Sequence, residues 1–191
     1  MIQLSKRFSD AVAYACAAHA QQIRKGTEIP YVAHLLGVAS IALEFGANED
    51  EAISAILHDV VEDCGGKPRL DDVRLRFGPT VAAIVEGCTD SDVTPKPAWQ
   101  QRKENYLKHL VHASPSTRLV SAADKLYNAR SILHDLRIIG DQVWSRFTGK
   151  KTGTLWYYRA LVNTYKAVGS NPLIIELNRV VSEIEHLAAK P

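Results

Sequence analysis

Apolar residues recur along most of the chain at intervals of three and four, the spacing that gathers them on one side of an α-helix. Alternation of the kind that marks a strand is weak throughout. The pattern predicts a first helix capped by Ser9 or Asp10 and running to about Ile23, with Gly26 just beyond it. A second opens at Pro30, whose missing N–H costs nothing in a first turn, and runs to Phe45 before Gly46. Asn48 followed by Glu51 predicts a capping box for a third helix through about Asp63. Shorter helices over 71–77 and 79–86 each meet a glycine. Two prolines interrupt the stretch 91–99, SDVTPKPAW, which predicts a loop. Helices then follow over 98–112, 115–139, 154–168 and 172–189. The expected fold class is all-α, a single compact helical bundle forming one domain over 1–191, with helix 172–189 packed on it.

Composition narrows the field without changing that picture. The chain has 191 residues, 46% apolar and 23% charged, close to globular averages. Its richest early apolar stretch, 11–18, falls well short of the ~20 residues that a bilayer span needs. The opening MIQLSKRFSD lacks the apolar core of a secretory signal. Cys16, Cys64 and Cys88 are odd in number and form no CxxC, which favours a reducing cytoplasm without structural disulfides. With 23 basic against 21 acidic residues there is no bulk attraction for nucleic acid or an anionic membrane. A polyanionic ligand would therefore have to be held locally.

Three segments could do so. In AISAILHDVVED (52–63), Ile53, Ile56, Leu57, Val60 and Val61 fill one arc of a helix, at ~100° per residue. His58, Asp59, Glu62 and Asp63 fill the other. Such a run reads as a solvated acidic face, or as a site. The doublet His58-Asp59 offers one nitrogen and one oxygen ligand, and a carboxylate one turn on can act as base beside metal-activated water. In the second helix, His34 lies within the stripe Tyr31, Leu35, Val38, Ile41, Phe45. It is either a core histidine satisfied by a carbonyl or a further ligand. The helix over 115–139 is mostly apolar through Leu119, Ala122, Ala123, Leu126, Tyr127, Ala129 and Leu133, with Ser121, Asp124, Asn128 and Ser131 as a narrow polar stripe. A buried aspartate there must be ion-paired, for example with an arginine, or bound to metal. Taken together, His34, His58, Asp59 and Asp124 supply two imidazoles and two carboxylates, a set that suits manganese, iron or zinc.

These residues resemble a known family. His58-Asp59, with a histidine before it at 34 and an aspartate after it at 124, is similar to the HD-domain metal phosphohydrolases. RKG (24–26), PYVAH (30–34), HDVVED (58–63) and ADKLYN (123–128) resemble the hydrolase domain of the RelA/SpoT homologues, nearest to the small alarmone hydrolases, over about residues 5–170. The resemblance implies a hydrolase-only protein that holds one Mn²⁺ through His34, His58, Asp59 and Asp124. It implies hydrolysis of the 3′-pyrophosphate of guanosine tetra- or pentaphosphate to GDP or GTP, which lowers the stringent-response alarmone. Glu62 and Asp63 then form the pair that positions and deprotonates the attacking water, and Arg24, Lys25 and Asn128 contact the nucleotide. The implied partner is a small nucleotide rather than a nucleic acid polymer or a membrane, in a cytoplasmic protein that could form a homo-oligomer. The loop reads RKGTEIP where the long bifunctional proteins more often have RKSGEP, and Cys64 stands where threonine commonly follows the acidic pair.

General chemistry agrees. Phosphoryl transfer rests on positioning and charge stabilisation. No glycine-rich phosphate cradle is present, so metal and side chains must meet the charge. Arg102-Lys103 and Lys150-Lys151 read as basic doublets facing water. Trp156, Tyr157 and Tyr158 read as core or oligomer packing, His19, His109, His112, His134 and His186 as ordinary histidines, and the cysteines as buried small apolar groups. Two alternatives stand beside the leading reading. One is the same enzyme class acting on another 2′- or 3′-phosphorylated nucleotide or an adenine alarmone; the other is a silent nucleotide-binding module.

Overall fold

A computed structural model describes residues 3–90 and 97–190; the predicted loop at 91–99 lies mostly outside them. The described residues are overwhelmingly helical, with one isolated bridge between Ile23 and Pro30 in place of any strand. In order, the helices are α1 (Lys6–Ala18), α2 (Val32–Glu44), α3 (Glu49–Leu57), α4 (Val60–Cys64), α5 (Gly66–Phe77), α6 (Pro79–Cys88), α7 (Trp99–His112), α8 (Pro115–Ile139), α9 (Lys150–Val168) and α10 (Pro172–Ala188). A 3-10 helix, Gly140–Arg146, lies in a stretch with no predicted element. Among the described residues no helix is long and apolar enough to cross a membrane.

The chain folds as two compact units. Among the described residues, the first takes 3–90 together with 113–123. There α3 packs on α2, α1 and α6, and α5 on α4 and α6, around Leu35, Val38, Ile53, Ile56, Leu57, Val81 and Val85. The second takes 97–112 and 124–190, with α9 between α7 and α10 and a core that includes Leu161, Val162, Tyr165, Leu173 and Leu177. The basic doublets of this unit do not simply face water. Lys103 Nζ stands 5.0 Å over the Tyr157 ring, Lys151 Nζ pairs with Asp141 at 2.8 Å, and Arg102 Nε donates to the Pro97 carbonyl at 3.2 Å. Tyr157 and Tyr158 are buried as expected, whereas Trp156 is exposed. All three thiols are free, and none is fully buried; Cys16 is exposed.

Helix boundaries depart from the expectation where local hydrogen bonds compete. Ser5, in extended backbone, caps α1 by accepting from Arg7 N, so Ser9 and Asp10 lie inside the helix. That helix stops at Ala18 rather than near Ile23, because Gln22 N turns back to the His19 carbonyl and Ile23 pairs with Pro30. Pro30 is therefore part of the bridge, and α2 begins two residues later. Gly65 and Gly66 take positive φ of 137° and 61°, a corner that lets α5 begin five residues before the predicted start at Asp71. The capping box of α3 forms as expected, with Asn48 Oδ1 accepting from Glu51 N at 3.0 Å and Glu51 Oε2 accepting from Asn48 N at 2.8 Å. Replacing Asn48 by alanine should cost about 1 kcal/mol of stability, read as an earlier midpoint at unchanged slope in urea unfolding.

Candidate metal centre

The predicted third helix is broken at the residues that matter most. α3 ends at Leu57 and α4 starts at Val60, with His58 and Asp59 in the gap. Asp59 has φ −99° and ψ −5°, in the bridge region near which active-site residues often sit. The sequence pattern places His58 on the polar arc, yet its side chain is only 3% exposed. His34, projecting from the first turns of α2, is 1% exposed, and Asp59 is 21% exposed.

Three side chains of the first unit converge there. His34 Nε2 and His58 Nε2 face each other at 3.3 Å, and Asp59 Oδ2 lies 3.4 Å from the first and 3.0 Å from the second. One ligand atom from each falls within 4.8 Å of the others. His58 Nδ1 is 2.9 Å from the Ala55 carbonyl, an acceptor, so that nitrogen carries the ring hydrogen and the neutral ring turns a lone pair inward from Nε2. Two imidazole nitrogens and a carboxylate oxygen at these separations need a proton or a metal ion among them to bridge their lone pairs. The donor set, mixed nitrogen and oxygen, fits a divalent transition metal. With both imidazoles protonated in place of a bound ion, burial pushes the Asp59 carboxyl up, but the charge of His58 and hydrogen bonds from His34 and His58 outweigh it and hold the group well below the usual carboxylate range.

The surroundings orient these groups. Tyr31 Oη donates to Asp59 Oδ2 at 2.6 Å, the kind of outer hydrogen bond that fixes a ligating carboxylate. The Tyr31 ring meets His34 edge-on and stacks on His19 at 5.0 Å, and the Arg24 guanidinium lies 5.9 Å from its centroid. Arg24 is thereby tied to the centre, while Lys25 is exposed on the same loop. On α4, Glu62 is half-buried and its Oε2 accepts from Asp90 N at 3.2 Å. Asp63 is exposed and accepts from Gln22 Nε2 at 2.8 Å.

In the second unit, Asp124 lies on α8 and is 6% exposed, as the apolar character of that helix predicts. Its Oδ2 takes Lys125 Nζ at 2.5 Å, a lysine partner where sequence reasoning weighed an arginine, and its Oδ1 takes Asn128 Nδ2 at 2.5 Å. Burial pulls the Lys125 ammonium down, yet the Asp124 charge and the nearby tyrosines hold it well above the ordinary lysine value.

Sequence reasoning missed Tyr31 as a polar partner, and also His19, Gln22, Asp90 and Lys125. Tyr31 precedes His34 by three residues, so the two share a helix face, a signal that was available. Gln22 and Asp90 come from turns whose positions no periodicity fixes.

Comparison with known proteins places the chain. The sequence profile described as HD domain matches residues 11–155. A guanosine-3′,5′-bis(diphosphate) 3′-pyrophosphohydrolase, MESH1 of Xenopus tropicalis, is 40% identical over 139 residues, covering 71% of this chain and 73% of that protein. The human protein of the same name is 40% identical over 126 residues, covering 64% and 68%. Among solved structures, a metazoan ortholog of SpoT described as hydrolysing ppGpp superposes with a TM-score of 0.78 at 27% identity, covering 96% of this chain and 98% of that one. The chain belongs to the HD domain family, among relatives named as guanosine-3′,5′-bis(diphosphate) 3′-pyrophosphohydrolases.

Proposed function

We propose that this protein is a metal-dependent hydrolase that removes the 3′-pyrophosphate of guanosine tetra- or pentaphosphate, yielding GDP or GTP and pyrophosphate. The observation that carries the reading is the convergence of His34, His58 and Asp59, with Glu62 and Asp63 on the next helical turn. The names of its relatives support the substrate. Asp124 joins the three as a fourth ligand in this proposal, and Mn²⁺ is the ion, as the mixed donor set and the family resemblance suggest.

When bound, a divalent cation supplies Lewis acidity that acidifies water and offsets phosphate charge. Glu62 accepts a proton from the attacking water, and Asp63 orients it. The new bond forms at the phosphorus joined to the ribose 3′-oxygen; the P–O3′ bond breaks, and that oxygen leaves as the 3′-hydroxyl after taking a proton. Arg24, held against Tyr31, and Lys25 on the exposed loop meet the nucleotide's anionic groups, and Asn128 contributes a further polar contact. The free thiols and the near balance of charge support a cytoplasmic protein acting on a small nucleotide rather than on a nucleic acid polymer.

The test is an assay of the purified, Mn²⁺-loaded chain with guanosine tetraphosphate, beside an adenine tetraphosphate counterpart. GDP and pyrophosphate in equal amounts are expected, with the guanine substrate giving the higher kcat/KM. Release no greater than in a chelated sample would overturn the reading.

A further inference from the structure

The first unit carries a polar chain that ends on Asp63 and whose other two members, His19 and Gln22, the reaction outlined above does not use. Gln22 Nε2 lies 2.8 Å from Asp63 Oδ2, and Gln22 Oε1 lies 2.6 Å from His19 Nδ1. A carboxylate only accepts, so the amide must present its NH₂ to Asp63 and its oxygen to His19. His19 Nδ1 must then be the protonated nitrogen of the neutral ring. The hydrogen bonds run one way, from His19 through Gln22 to Asp63, and each polarises the next.

The chain is built on a fixed backbone. Gln22 N donates to the His19 carbonyl, and Gln22 O accepts from Tyr31 N, each at 2.9 Å, so the residue is pinned between the end of α1 and the start of α2. His19 is 3% exposed and stacks on Tyr31 with ring planes 20° apart. Cys64 closes the other side, its Sγ 3.5 Å from His19 Nδ1 and 3.7 Å from Nε2. An exposed aspartate on a five-residue helix would otherwise sample several rotamers. Here one oxygen is held by an amide that has no freedom to turn over.

We propose that His19 and Gln22 are positioning residues: together they set the rotamer of Asp63 for its part in the reaction. The proposal rests on the reading of Glu62 and Asp63 as the water-handling pair. Gln22→Met keeps length and volume but removes both hydrogen bonds, and it should lower kcat about 10–100-fold, the usual cost of an outer hydrogen-bond partner, at unchanged KM. At position 19 the two roles of the ring come apart. Asparagine places a donor where Nδ1 stands but loses the stacking, whereas phenylalanine keeps the stacking and loses the donor. His19→Asn should recover most of the activity and His19→Phe should match the loss in Gln22→Met. The reverse order would mean that His19 only packs, and wild-type kcat in Gln22→Met would likewise overturn the proposal. Long-range proton–nitrogen spectra of the wild-type chain, recorded metal-free at a pH where the ring is neutral, give a readout independent of turnover. The Nδ1–H tautomer is expected, and Nε2–H would overturn the chain's direction. A wild-type protein that releases no pyrophosphate would sink the proposed reaction, while the tautomer would still decide the direction of the chain.

Discussion

Glu62→Gln is expected to lose about 10²–10⁴ of kcat, the range that a positioned general base contributes. That corresponds to about 3–5 kcal/mol of barrier. The amide is nearly isosteric, and its oxygen can still accept from Asp90 N, so position and fold should survive. What is lost is the capacity to take a proton. Steady-state kinetics should therefore show kcat falling while KM for guanosine tetraphosphate and the bound metal per chain stay level. A fall confined to KM would move Glu62 from proton transfer to substrate binding.

The second large effect concerns the metal. His58→Ala removes one of two facing imidazoles and leaves His34, Asp59 and, in the proposed set, Asp124, with a single nitrogen donor to hold a divalent ion. Outer hydrogen-bond partners of metal ligands typically cost about 10–100-fold in affinity, and a ligand should cost more. Elemental analysis of the purified variant should find it largely metal-free, with activity lost in parallel. Asp124→Ala, measured alongside, tests the fourth ligand: unchanged metal affinity would exclude Asp124 from the set. A melt followed by circular dichroism separates metal loss from unfolding.

Much of this was written in the residues themselves. The helical class, α8 from Pro115 to Ile139 and the capping box at Asn48 follow from apolar spacing and end chemistry, which are local properties. His34 and Asp124 stand out because a polar group inside an apolar stripe needs a partner. What could not be read is where backbone leaves the helical path. The early stop of α1 depends on Ile23 pairing with Pro30 across a turn, and the break at His58-Asp59 carries no glycine or proline to announce it. The roles of His19 and Gln22 were hidden for the same reason, since both lie just past that early stop. His19 looked ordinary because its partners, Gln22, Tyr31 and Cys64, meet only after the chain has turned.

The interruption between α3 and α4 has a consequence for anyone engineering this scaffold. Uninterrupted winding from Glu49 to Cys64 would add backbone hydrogen bonds, and substitutions that favour it, such as alanine at 59, would look attractive in a search for thermal tolerance. They would also take the Asp59 carboxylate away from His34 and His58, so robustness gained there would be taken directly from the capacity to bind an ion.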